Sequence, residues 1–190
     1  SQIGVPLSVW LMNEKTEMGL FEAGISEMGE MEVLQSVIRP TIGVLTNIGG
    51  AHQENFYSLQ DKCLEKLSLF KECDVVIYDG DNELISSCVS RCLLGAREIA
   101  RSRVDNERPL FIESIEKGNK TTTIRYRYLG MPNTYTIPFI DDASIENSLH
   151  CLAVALYMML PAEKISERMA LLEPVAMRLE VKEGKNGCTL

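Results

Sequence analysis

No stretch of this sequence is long and apolar enough to cross a membrane, since none reaches the ~18 apolar residues that a spanning helix requires. The first residues also lack the form of a signal peptide. Lysine and arginine are not clustered, and a net charge of -8 is unsuited to binding a polyanion. These absences predict a protein that acts on neither a membrane nor a nucleic acid.

A disulfide framework is missing as well. The six cysteines, at positions 63, 73, 88, 92, 151 and 188, follow no framework spacing. Cys88 and Cys92 lie four residues apart on a predicted helix, but no second cysteine or histidine pair accompanies them, which disfavours zinc. We therefore interpret the cysteines as reduced thiols of a cytoplasmic protein.

The phosphate-binding motif G-x-x-x-x-G-K-[ST] does not occur anywhere in the chain. The GKNG sequence at 184–187 has neither the spacing nor the sequence context that this motif requires. The 190 residues therefore encode no recognisable backbone loop for a triphosphate.

The patterns that are present predict an α/β fold, with a mostly parallel sheet flanked by helices. Length suffices for one sizeable core, and the 45% hydrophobic and 24% charged residues are ordinary for a globular domain. Strand-like runs at 19–24, 41–46 and 74–78 alternate with helical periodicity at 31–38, 58–71 and 83–93. Residues 7–12 fit a short helix or a strand equally well.

After Gly95 the pattern changes. Short β-branched or aromatic segments separated by turn residues predict a small antiparallel β appendage over about 95–140. Helices at 145–160 and 162–172 then complete a domain covering 1–172. We interpret 173–190 as a hinge followed by the first strands, at 177–181 and 188–190, of a truncated next domain.

Two predicted strands end beside side chains that could bind a divalent metal. Glu22 belongs to the strand 19–24, and His52 follows the strand 41–46 after a short loop. Ligands of open α/β sheets bind beyond the carboxyl ends of the strands, so Glu22 and His52 predict half of a metal's ligand shell. Glu22 could instead cap a helix or face solvent, and His52 could be an ordinary loop histidine.

Ordered motifs around these residues resemble the central domain of the Mur ligases, ATP-dependent amide-forming enzymes of peptidoglycan synthesis. The family pattern E-M-G-x-x-x-x-G-E-I appears as EAGISEMGEM at 22–31, and N-x-G-x-A-H-x-E-x-F appears as NIGGAHQENF at 47–56. The opening IGVPL at 3–7 also matches the family, and Lys66 occupies the place of the family's functional lysine.

The resemblance implies specific roles for individual residues. It assigns Glu22 and His52 to Mg²⁺, and Lys66 to a carbamylated lysine whose negative charge supports the magnesium. Asn47 and Asn147 are assigned to nucleotide binding, Asn147 at adenine, and Arg178 to the ATP phosphates and catalysis. Without nucleotide and Mg²⁺ we expect Lys66 to be unmodified. Read from the residues alone, Lys66 is a solvated lysine pairing with acidic neighbours, Asn147 a helix cap, and Arg178 a surface arginine.

The implied reaction adds D-alanyl-D-alanine to UDP-N-acetylmuramoyl-tripeptide, with both substrates bound by flanking domains that this chain lacks. The family's phosphate loop would lie before Ser1, so we expect the isolated chain to be inactive. Ala143 and Ser144 replace a histidine and an asparagine of the family's adenine motif.

Two alternatives remain: another amide ligase of this fold, such as a folylpolyglutamate synthase-like enzyme, and a catalytically silent fragment. Fusion to an alanine racemase is also left open, and a sheet lacking a strand predicts self-association through its edge.

Overall fold

The computed structural model describes residues 2–50, 52–92 and 95–174. Its helices are α1 (Gly4–Trp10), α2 (Glu30–Ile38), α3 (Leu59–Ser68), α4 (Glu83–Cys92), α5 (Asp142–Tyr157) and α6 (Ala162–Met169). Its strands are β1 (Ile42–Val44), β2 (Val75–Asp79), β3 (Arg97–Ser102), β4 (Leu110–Lys117), β5 (Thr122–Tyr128) and β6 (Met131–Ile137). One turn of 3-10 helix, Gln53–Asn55, lies between β1 and α3.

All six of these strands belong to one sheet in the order β1-β2-β3-β4-β5-β6. The pairs from β1 to β4 are parallel, whereas β5 runs antiparallel to both β4 and β6. The predicted fold class, a mostly parallel sheet with an antiparallel part and flanking helices, is confirmed.

The antiparallel part begins later in the chain than the sequence suggests. Strand β3 pairs in parallel with β2, with Ile77 opposite Ile99, so the antiparallel pairing is confined to β4, β5 and β6, which extend the same sheet. The short strands after residue 95 have similar compositions, and the direction of each pairing depends on a partner elsewhere in the chain. The sequence pattern therefore located these strands but not all of their directions.

Strand β2 separates two hydrophobic cores. Val76 and Tyr78 pack on one side with residues of α1 to α4, while Val75 and Ile77 pack on the other with α5 and α6. Successive side chains of a strand point to opposite faces, so a strand covered on both faces needs a continuous apolar run. Strand β5 instead alternates, with Ile124 buried and Arg125 exposed.

Residues 19–24 do not form the strand that the sequence predicts; they lie in no helix or strand. An extended apolar segment becomes a strand only when a neighbour completes its hydrogen-bond ladder. Strand β1 stands at the end of the strand order and pairs with β2 alone among the described residues. Residues 19–24 still contribute to packing, because Phe21 and Ala23 lie partly buried against the core of α1 to α4.

Local signals explain where the other elements begin. Residues 7–12, ambiguous in sequence, lie mostly within α1. The Ser58 hydroxyl accepts a hydrogen bond from the Asp61 amide and caps α3. No helix in the described part of the chain is long and apolar enough to cross a membrane. The predicted strands at 177–181 and 188–190, and Arg178, lie outside the described residues.

Candidate active site

Two lysines one turn apart on α3 hold the loop that follows β1. Lys66 Nζ donates a hydrogen bond to the carbonyl oxygen of Asn47 at 3.1 Å, and Lys62 Nζ donates to that of Gly49 at 2.7 Å. Lys66 is half-buried, whereas Lys62 exposes 2% of its surface. Helix α3 thereby fixes the first half of the signature segment 47–56.

The environment of Lys66 favours its neutral form. Burial lowers the pKa of the Lys66 amine below its ordinary value, and the positive charge of Lys62 lowers it further, against a smaller opposing effect of Cys63. A free amine is the reactive form of lysine, and at the ordinary pKa of ~10.4 little of it exists near neutrality. The lowered pKa of Lys66 arises from the protein alone, without any bound metal.

The acidic neighbours of Lys66 on α3 have other roles. Glu65 is buried and accepts hydrogen bonds from the backbone amides of Gly29 and Met31 at 2.8 and 3.0 Å, which caps the start of α2. Asp61 accepts a hydrogen bond from the hydroxyl of Ser58 at 2.6 Å. The interpretation of Lys66 as a solvated partner of Asp61 and Glu65 is therefore not supported.

The segment that carries Glu22 passes beside Lys66. The side chain of Glu22 is exposed, and the next residue, Ala23, lines a small cavity of about 60 Å³ together with Thr46 and Lys66. Glu22 therefore lies one residue away from the wall of a cavity that Lys66 also lines.

His52 lies on a strained turn tied to the same region. Its φ of 56° is in the left-handed region, which is costly for a residue with a Cβ and is often found at functional sites. The turn Gln53–Asn55 begins directly after it, and the side-chain amide of Asn55 donates to the carbonyl of Ser26 at 2.9 Å. The segments of Glu22, His52 and Lys66 thus meet beyond β1. The side chain of His52 itself is exposed, and it lines neither the small cavity nor the larger cavity beside this region.

A larger cavity of about 340 Å³ opens beside this region, at the carboxyl ends of the parallel strands. Residues at the ends of β1, β2 and β3 line one side, and the first half of α5 lines the other. Asn47 and Asn147, both predicted from the sequence to bind nucleotide, line this cavity. Helix α5 begins at the Asp141 cap, so Asn147 lies within the helix and does not serve as its cap.

The cavity also has a charged wall that the sequence analysis missed. Arg101 exposes 1% of its surface and forms ion pairs with Asp79, at 3.4 Å, and with Glu146. Its Nε atom is buried without a hydrogen-bond partner. Charged groups at this depth are retained only when paired, and the partner Glu146 is 45 residues away in the sequence. No local pattern marks such a pair.

His150 was missed too, although its position offered a signal. It lies three residues after Asn147, on the same side of α5, and it also lines the cavity. Its Nε2 is 3.1 Å from the carbonyl oxygen of Thr46, and because a carbonyl only accepts, Nε2 must carry the proton. Burial and the charge of Arg101 lower the pKa of His150, so its imidazole is neutral near pH 7.

Among the described residues, no three histidine, cysteine, aspartate or glutamate side chains come together as a metal site. The five described cysteines are free thiols, at positions 63, 73, 88, 92 and 151. A metal held by Glu22 and His52 would therefore need further ligands that are not such side chains. Mg²⁺ commonly keeps several waters and binds substrate phosphates alongside one or two carboxylates.

Comparison with known proteins gives a consistent result. Residues 1–155 match the Mur ligase middle domain. A UDP-N-acetylmuramoyl-tripeptide--D-alanyl-D-alanine ligase from Bacillus subtilis is 26% identical over 193 residues, covering 100% of this chain and 40% of the relative. The chain thus spans about two fifths of that relative's length.

Solved structures agree on the fold. MurF from Acinetobacter baumannii superposes with a TM-score of 0.82 at 17% identity, covering 96% of this chain and 40% of that one. MurF ligase from Thermotoga maritima in complex with ADP gives a TM-score of 0.69 at 18% identity, covering 84% and 37%. The resemblance stated from the sequence motifs is confirmed, and the chain belongs to the Mur ligase family, of which it matches the middle domain.

Proposed function

We propose that this chain is the central, ATP-binding part of a longer peptide ligase that adds D-alanyl-D-alanine to UDP-N-acetylmuramoyl-tripeptide in peptidoglycan precursor synthesis. The relative from Bacillus subtilis bears the name of that activity. The observation that carries the proposal is a shared residue: Asn47 lines the large cavity together with Asn147, and its carbonyl binds Lys66. The nucleotide side and the magnesium side of the proposed site therefore meet at one loop.

The large cavity fits a nucleotide base. Its volume of about 340 Å³ lies at the lower end of small-molecule sites. Asn47 and Asn147 offer amides that both donate and accept hydrogen bonds, which suits the edge of adenine. We assign these two residues to nucleotide and Arg178 to its phosphates. Bound ATP would supply the phosphoryl group that activates the tripeptide carboxylate for attack by the amine of D-alanyl-D-alanine.

We assign Glu22 and His52 to Mg²⁺. An exposed carboxylate and an exposed imidazole leave room for the waters and phosphate oxygens that this ion prefers. Bound Mg²⁺ would stabilise negative charge on the transferring phosphoryl group. The lowered pKa of Lys66 suits carbamylation, which replaces the ammonium by an anion on this side of the site.

The domain boundaries stay part of the proposal. We assign 1–172 to the central domain, with 95–140 as its β-rich part, and 173–190 to the hinge of the next domain. Because the chain spans 40% of the Bacillus subtilis relative, we assign both peptide substrates and the triphosphate loop to other parts of the longer protein. ATP and the free thiols at the described cysteines suit the cytoplasm.

The test is a ligase assay on the full-length protein, with phosphate release and pentapeptide product followed by mass spectrometry. We expect product only when ATP, the tripeptide substrate and D-alanyl-D-alanine are all present. Lys66→Met should reduce turnover by at least ~100-fold, because it removes the anion assigned to support Mg²⁺, and Mg²⁺ in turn stabilises negative charge on the phosphoryl group. Lys164→Met is the matched control, since Lys164 is exposed on α6 and pairs only at the surface with Glu167.

Product formed with glutamate in place of D-alanyl-D-alanine would contradict the proposed amine substrate and favour another amide ligase of this fold. Full activity of Lys66→Met would contradict the assignment of Lys66 to the proposed active site. Calorimetric titration of the 190-residue chain with MgATP provides a separate check. We expect no binding tighter than millimolar, because we assign the phosphate loop to another part of the longer protein. Micromolar binding of MgATP would contradict that assignment.

A further inference from the structure

Lys62 is a charged residue in an unusually enclosed position. It exposes 2% of its surface, and its Nζ lies 5.6 Å from the centroid of the Phe56 ring. A buried ammonium is costly unless hydrogen bonds and nearby negative charge density offset the loss of water. The hydrogen bond of 2.7 Å to the Gly49 carbonyl and the face of the ring provide such an environment.

Lys62 and Lys66 bind different carbonyl oxygens of the same loop, and only Lys66 is assigned to carbamylation. They lie four residues apart on one face of α3, and they bind carbonyl oxygens two residues apart in the same loop. Carbamylation of Lys66 begins with loss of a proton to solvent. The neutral Nζ then attacks the carbon of CO₂, a C–N bond forms, and a second proton leaves as the carbamate anion is produced.

This reaction removes the ammonium that holds the Asn47 carbonyl. The contact from Lys62 to Gly49 involves neither the reacting nitrogen nor the protons that it loses. A positive charge one turn away also opposes the ammonium form of Lys66 and attracts the carbamate form. Lys62 is thus placed to keep the loop in position before and after the modification.

We propose that Lys62 is a positioning residue: it fastens the loop 47–50, and with it the approach to His52, while Lys66 passes from ammonium to carbamate. The proposal rests on the proposed function in that Lys66 is taken as the carbamylated lysine. Lys62 Nζ also lies over the ring of Phe56. The turn after His52 is held by the hydrogen bond from the Asn55 side-chain amide to the carbonyl oxygen of Ser26.

The test uses the full-length protein with Lys62→Met, which keeps the length of the side chain and removes its donor and charge. Lys62→Arg restores both, and Lys62→Gln restores a donor without the charge. The first measurement is amide hydrogen exchange in a peptide covering 46–56. We expect roughly tenfold faster exchange in Lys62→Met, with helix α5 as an internal reference, and near wild-type exchange in Lys62→Arg.

The second measurement is the ¹³C carbamate signal of Lys66 in ¹³C-bicarbonate, followed against pH. Lys62→Met and Lys62→Gln should move the onset of carbamate formation to higher pH, whereas Lys62→Arg should retain the wild-type profile. If Lys62→Met does not fold, the comparison of Lys62→Gln with Lys62→Arg decides the same point. Unchanged exchange and an unchanged pH profile in the substituted proteins would overturn the proposal.

The two proposals fail in distinguishable ways. Absence of any carbamate on Lys66 in the wild-type protein with MgATP would count against the proposed function. Loop exchange would still respond to Lys62→Met in that case if the fastening exists. A carbamate that forms equally well in every Lys62 variant, together with unchanged loop exchange, would overturn the role of Lys62 and leave the ligase proposal intact.

Discussion

Replacing Glu65 by alanine should destabilise the protein by about 2–4 kcal/mol, because one carboxylate holds two backbone amides of another helix. Glu65 Oε1 accepts from Gly29 N at 2.8 Å and from Met31 N at 3.0 Å, across 36 and 34 residues of sequence. Gly29 is exposed, so water can replace its lost bond at little cost. Met31 is 1% exposed, so its amide would be left buried without a partner, which alone costs about 1–3 kcal/mol.

Two companion variants separate the sources of this effect. Glu65→Gln keeps an acceptor oxygen and loses the charge, so we expect about half of the destabilisation, since hydrogen bonds to charged groups are roughly twice as strong as neutral ones. Glu116→Ala is the matched control, because Glu116 is an exposed partner of Arg125 and should contribute less than ~1 kcal/mol.

The assay is urea denaturation followed by far-ultraviolet circular dichroism, with a thermal scan as a second measure. For a domain of this size, a loss of about 2–4 kcal/mol corresponds to a fall in Tm of roughly 5–15 °C. Glu65→Ala within ~0.5 kcal/mol of wild type would refute the reasoning, since it would mean that the α2 cap carries no net stability. It would also weaken the link between the helix bearing Lys66 and the segment that follows Glu22.

Three further predictions concern packing, pH and assembly. Gly43→Ala should cost about 1–3 kcal/mol in urea denaturation, because its Cβ would lie 2.6 Å from Cγ of Phe70, and the same substitution should cost less in a Phe70→Ala background, which lacks that atom. The lowered pKa of His150 means that the folded state binds its proton less readily than the unfolded state, so its contribution to stability is present above pH ~6.5 and is lost as pH falls below it. Urea midpoints between pH 5 and 7.5 should therefore vary less in His150→Asn than in wild type, and identical slopes would contradict this. Among the described residues β1 pairs on one side only, which predicts self-association of the isolated chain, and light scattering would contradict this by showing a strict monomer at high concentration.

The elements that sequence patterns predicted well are those whose cause is local. The run VVIY at 75–78 is apolar at every position because both faces of β2 are covered, and it is found as a buried strand. Ser58 caps α3 by a bond to its own third neighbour. Residues 19–24 show the limit of the same method, since their composition resembles a strand but the ladder needs a partner that the described residues do not offer.

The residues of the candidate site also fall into those indicated by the sequence and those that only the structure revealed. Motif order alone pointed to Glu22, His52, Lys66 and Asn147, and their roles stay predictions. The structure adds Lys62, Arg101 and His150, whose importance lies in what surrounds them. Nothing in the letters KCLEK at 62–66 shows that the first lysine is more deeply enclosed than the second.

By itself, the sequence determined the α/β class, the family and the segments that carry the candidate residues, because strand and helix periodicity and capping act over a few neighbouring residues. Only the tertiary structure decided which strands run parallel, which lysine is buried, and which acid caps a distant helix. Those outcomes depend on burial and on contacts with other elements, such as Val75 with Arg97 in a parallel pair and Glu65 with Met31, which is 34 positions away. Burial changes the free energy of a charged side chain by more than the residues next to it in the sequence do. A buried environment exists only once the chain has folded.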